Sequence, residues 1–175
     1  MDHRPRGIHH VTAIAGDPQR NLDFYTGLLG LRLVKRTVNF DDPGTYHLYY
    51  GDEEGRPGTI MTFFPWPGAP RGSLGAGQIG TTAFSVPEGS LPFWEGRIRD
   101  AGLPVESPAT RFGEQVLALA DPDGLRLELV AHKSAADLPP WQEGPLSPEV
   151  ALRAFHGVTL IEHSLDAVSY THLTL

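Results

Sequence analysis

The sequence contains no cysteine, which excludes disulfides and thiolate metal ligands. It has no basic stripe. Fourteen Lys and Arg stand against 21 Asp and Glu, a formal net charge of −7, and this argues against nucleic acid or an anionic membrane surface as partner. No segment approaches the ~20 apolar residues that span a bilayer. The opening MDHRPRG is not followed by the apolar run of a signal peptide, so a soluble cytoplasmic protein is the expectation. Glycine-rich phosphate loops, a Ser-His-Asp order and CxxC pairs are also missing.

What is present is ample for one domain: 175 residues, 40% of them hydrophobic. The 16 prolines and 20 glycines point to many turns and short strands. IHHVTAIA (8–15) is rich in branched residues and reads as a strand. A helix is expected to follow over 17–30, with Asp17 as cap, Pro18 in its first turn and Gly30 at its end. Leu22, Tyr25 and Leu29 would form its apolar stripe. LRLVKRTVNF, TYHLYYG and GTIMTFF read as strands, separated by the turns DDPG and DEEGRPG. A Gly/Pro-rich linker, PWPGAPRGSLGAG (65–77), comes next.

After the linker the order repeats. QIGTTAFSV is strand-like. GSLPFWEGRIRDAG is helical, with Leu91, Trp94 and Ile98 as its stripe and Gly102 as its stop. EQVLALAD and GLRLELVA are strands joined by DPDG. Ile8-His9-His10-Val11 is echoed by Ile79-Gly80-Thr81-Thr82. The expected fold class is α+β: two β-α-β-β-β halves whose mixed and antiparallel strands form one curved sheet with helices outside. A clearer repeat lies further on, where FHGVTLI (155–161) matches IHHVTAI (8–14), with His156 on His9 and Gly157 on His10. The expected organisation is a first module over 7–131, a linker over 132–150, and the start of a second module over 151–175. The last residues, SYTHLTL, lack the matching helical stripe and are expected to be foreign to the natural protein.

The stretches GIHHVTAIAGDPQRNLDFYTGLLGLRLVKRTVNFDDPGTYHLYYGDEEGRPGTIMTFFP and TRFGEQVLALADPDGLRLELV, with the restart AFHGVTL, resemble the vicinal oxygen chelate superfamily. That superfamily includes glyoxalase I, bleomycin-resistance proteins and extradiol dioxygenases. The resemblance covers residues 7 to about 165 and is strongest to the branch of ring-cleaving dioxygenases that open hydroquinones. It implies an Fe(II) enzyme, with Mn(II) as the alternative ion, acting on a small aromatic substrate and O2. The iron would be held by two histidines and one glutamate, a ligand set that leaves positions open. His10 matches the first-module ligand, and the remaining histidine and glutamate would come from the second module. This 175-residue chain alone is therefore expected to be inactive, and to self-associate through surface meant for its missing C-terminal module. Two alternatives stay open: a glyoxalase-type metal-dependent isomerase or lyase, and a binding protein that sequesters a ligand as bleomycin-resistance proteins do.

A strand histidine taken alone is more often a packing residue than a ligand, and it is the resemblance that assigns His10 to the metal. Alternation along a strand puts His10 and Thr12 on one face and His9 on the other. His9 and Thr12 are the catalytic candidates that the resemblance implies, His9 as a proton carrier near neutrality and Thr12 on the substrate side. Glu128 shares a strand face with Arg126 and is read either as the relic of a lost partner site or as a structural partner of Arg126. His47 and His132 read as isolated. Phe63, Phe64 and Trp66 could wall an aromatic pocket or pack the linker.

Overall fold

The computed structural model describes residues 7–164 and Asp166; the expectation for SYTHLTL falls outside them. The chain forms β1 (His10–Ala15), a short helix α1 (Pro18–Leu22) that continues as a π-helical turn (Asp23–Leu28), β2 (Arg32–Val38), β3 (Tyr46–Gly51) and β4 (Ile60–Pro65). The second half repeats this as β5 (Gln78–Pro87), α2 (Leu91–Asp100), β6 (Ala109–Arg111), β7 (Glu114–Ala120) and β8 (Arg126–His132), and β9 (Phe155–Ile161) follows. None of these helices is long and apolar enough to cross a membrane.

The α+β fold with two β-α-β-β-β halves matches the expectation. The single curved sheet does not: the strands divide into two hydrogen-bonded sheets, ordered β1-β4-β3-β2 and β6-β7-β8-β5-β9. In each half the first strand pairs in parallel with the fourth, β1 with β4 and β5 with β8. β1 and β5 therefore hold equivalent places. They differ at the other edge, where β5 is paired antiparallel by β9 and β1 has no partner among the described residues.

Alternation along each strand builds the core. Val11 and Ala15, Leu48 and Tyr50, Met61 and Phe63, Leu117 and Leu119, and Leu127 and Leu129 all turn inward, under Tyr25, Leu29, Trp94 and Ile98. One apolar cluster runs through both halves.

The continuous α-helix expected over 17–30 is corrected. Asp17 caps it as expected, accepting from Arg20 N at 2.8 Å, but the helix widens after Leu22, with Leu29 N donating to Phe24 O at 3.0 Å. The wider turn lets adjacent Phe24 and Tyr25 both go inside and leaves Leu22 only partly buried. Asn21 is buried instead, because its Oδ1 accepts from Tyr50 Oη at 2.9 Å. The carbonyls that end the turn are met from the other half: Arg97 donates to Leu28 O at 2.7 Å and Gly27 O at 2.6 Å.

Segment 132–150 holds a short 3-10 turn (Lys133–Asp137) and the buried Leu146. Beyond it, Ala151, Leu152 and Arg153 are buried and lead into β9.

Candidate functional site

The face of the first sheet turned away from the core carries His10, Thr12 and Ile14 from β1, with Ile60, Thr62 and Phe64 beside them on β4. Next comes Tyr49 of β3, level with Thr62, and then Lys35 of β2, level with Tyr49. Since Val11, Met61, Phe63, Leu48 and Tyr50 are claimed by the core, period-two alternation forces these residues outward.

His10 and Thr12 are both exposed, as alternation expects. Thr12 Oγ1 lies 2.9 Å from Thr62 Oγ1, so two hydroxyls sit side by side on the edge strand β1 and its neighbour β4. The His47 ring stacks between Phe64, at 4.0 Å, and Tyr49, at 4.1 Å between centroids. Its Nδ1 bonds Tyr49 Oη at 2.9 Å, while its Nε2 is buried with no hydrogen-bond partner. Burial, then the nearby Lys35 and His10, push the His47 imidazole below its ordinary pKa; it is neutral near pH 7. Lys35 Nζ rides 5.5 Å over the Tyr49 ring. The face thus runs from a polar edge at His10 and Thr12 to an aromatic floor at His47 and Phe64.

His9 departs from expectation. It precedes the first residue of β1, so strand alternation does not govern it. Instead of facing away, its ring meets that of His10 edge to face at 5.2 Å, with the two Nδ1 atoms 3.1 Å apart. One Nδ1 must donate and the other accept, which engages Nδ1 of His10 and leaves its Nε2 for a metal. No group of three or more His, Asp or Glu among the described residues could hold a metal ion. A metal at His10 would therefore need its further ligands from outside the described residues.

Glu128 lies on the second sheet, apart from His10. Its partner is Arg111, not Arg126: the guanidinium donates to both of its carboxylate oxygens. His132 is not isolated, since its two ring nitrogens meet Ser134 Oγ at 2.9 Å and Ser85 Oγ at 3.0 Å. Phe64 joins the candidate face, while Phe63 is core and Trp66 donates to Thr45 Oγ1 at 3.2 Å. Thr62, Tyr49, Lys35 and the stacking of His47 were missed at the sequence level. The signal was available: in TYHLYYG and GTIMTFF, once Leu48, Tyr50, Met61 and Phe63 are assigned inward, the intervening residues share the outer face.

The family model described as the glyoxalase/bleomycin resistance protein/dioxygenase superfamily matches residues 7–129. The inferred ring-cleaving dioxygenase MhqO of Bacillus subtilis (strain 168) is 52% identical over 166 residues, which cover 95% of this chain and 53% of that protein. The chlorohydroquinone/hydroquinone 1,2-dioxygenase of Sphingobium indicum is 36% identical over 162 residues, 91% of this chain and 50% of that protein. A crystal structure of an inferred dioxygenase from Bacillus subtilis superposes with a TM-score of 0.87 at 51% identity, over 95% of this chain and 54% of that one. The chain spans about half the length of the relatives it matches.

Proposed function

Because the chain belongs to the glyoxalase/bleomycin resistance protein/dioxygenase superfamily, we propose that it is the N-terminal module of a ring-cleaving dioxygenase that opens hydroquinone-like aromatic diols with O2 at Fe(II). The carrying observation is the placement of His10 on β1, whose outer edge has no strand partner among the described residues, beside a hydroxyl pair and an aromatic floor. The names of the relatives support the choice of ring cleavage over isomerase or sequestration chemistry.

A ferrous ion, when bound, supplies open coordination positions and the one-electron chemistry that reaction with O2 requires. His10 would hold the ion through Nε2, and the contact with His9 would fix the orientation of the His10 ring. The remaining ligands come from a second module. β9 pairs antiparallel on β5, and on this reading the equivalent edge of β1 takes a strand of the second module in the same way. The substrate ring lies against Phe64 and His47, and the Thr12–Thr62 pair orients a ring hydroxyl. His9 accepts a phenolic proton, a role open to an imidazole placed beside the ring.

Variants of the intact protein test this reading. His10→Ala should lose most of the bound iron and essentially all O2 uptake with hydroquinone. His9→Ala should keep iron and lose rate, on the order of 10²-fold. If His9→Ala sheds the iron while His10→Ala retains it, the ligand assignment is wrong. Turnover without O2 would turn the reading toward an isomerase or lyase. The 175-residue chain by itself should bind Fe(II) weakly and cleave no ring.

A further inference from the structure

The second sheet borders a cavity that the proposed chemistry leaves unused. Ala83, Val116 and Val130 form a small apolar cluster apart from the main core, and Gly157 of β9 lies level with Ala83. A Cβ placed on Gly157 would meet nothing within 4 Å. These residues border a cavity of about 370 Å³, within the size range of small-molecule sites.

One ion pair and one histidine–carboxylate contact stand in its walls. Arg111 donates to both oxygens of Glu128, Nη1 to Oε1 at 2.9 Å, and His156 Nε2 lies 3.1 Å from Glu114 Oε2. At the mouth, Phe112 is 95% exposed and has φ of 52°. With Gly113 (φ 83°) it makes the two-residue turn between β6 and β7. A bulky aromatic in that backbone region costs free energy, and uncompensated strain of this kind gathers at ligand clamps.

We propose that this cavity binds a neutral, flat, single-ring molecule with hydroxyl groups on its edge, and that Phe112 covers the ring. Both carboxylates are already paired. A cationic ligand would have to displace Arg111 or His156, and an anionic one would meet two carboxylates. A hydroxyl instead donates to the lone pairs that each carboxylate still holds, forming charge-assisted bonds without breaking an ion pair. The ring then lies on the apolar floor, close to the bare backbone at Gly157. None of these residues belongs to the His10 face, so the proposal stands apart from the dioxygenase reading.

The test is calorimetric titration of the 175-residue chain with hydroquinone, without oxygen and with a chelator present so that no metal takes part. Saturable binding is expected. Gly157→Leu, which fills open space, should weaken it by about tenfold or more with an unchanged circular dichroism spectrum, and Gly157→Ala should act in the same direction. Phe112→Gly should weaken binding while the melting temperature holds or rises, which a purely structural role for Phe112 would not produce. His10→Ala should leave the affinity as it is. The proposal is overturned if no saturable binding is seen up to the solubility limit of hydroquinone, if folded Gly157→Leu binds like the parent, or if His10→Ala abolishes binding. Failure of the dioxygenase reading would appear separately, as absent O2 uptake in the intact protein.

Discussion

Phe112 occupies a backbone region that suits glycine or asparagine in a two-residue hairpin turn, and its ring is almost wholly in solvent. Nothing in the fold offsets that cost, so Phe112→Gly should stabilise the protein by about 1 kcal/mol, read as a higher urea midpoint with unchanged slope. His132 argues in the opposite direction. Burial, then the neighbouring His156, hold its pKa below the ordinary value, despite a smaller upward pull from Glu114. The same sign holds for His47, where burial again leads. Each group binds a proton more readily when the chain is unfolded. Their contribution is thus complete above about pH 6.5 and is lost as pH falls below it. The melting temperature should drop between pH 7 and pH 5, and less steeply in His132→Gln. The outward position of His10 was legible in the sequence, because the strand period puts it opposite Val11. The contact of His9 with His10 was not, because it depends on where β1 begins, and a run of branched residues does not mark that boundary to the residue.

Among the elements, those with a repeating apolar pattern were readable. Leu91, Trp94 and Ile98 are all buried on α2, and β3, β4, β7 and β8 each give alternate residues to the main core. β6 was missed because its three residues are all exposed and carry no pattern. The π-helical turn was missed because a stripe of Leu22, Tyr25 and Leu29 fits a regular helix; what widens the helix is a tertiary demand, the burial of adjacent Phe24 and Tyr25, with Tyr25 against Phe63. That turn relies on Arg97 for its last carbonyls. Arg97→Met keeps most of the apolar stem and removes the donors, so it should lower stability by about 1–2 kcal/mol without changing the fold, as denaturant titration would show. Asp17→Ala should cost about 1 kcal/mol by uncapping α1.

At the scale of the whole molecule, the repeat was visible in the sequence, but the division into two sheets was not. Whether neighbouring strands join is decided by pairings far apart along the chain, such as β5 with β9. That pairing ties residues 151–161 to the domain: Leu152 is buried, and the rings of Phe84 and Phe155 lie 5.0 Å apart. Ending the chain after Val150 should therefore cost several kcal/mol and shift the denaturation midpoint sharply. The two first strands would also part company in heavy water. Alternate backbone N–H groups of a strand point to opposite neighbours, so those of β5 are held on both sides, by β8 and by β9, whereas one set along β1 has no strand partner among the described residues. That set should take up deuterium quickly while its counterparts on β5 stay protonated. Its slowing in a longer chain would time the arrival of a new strand, amide by amide.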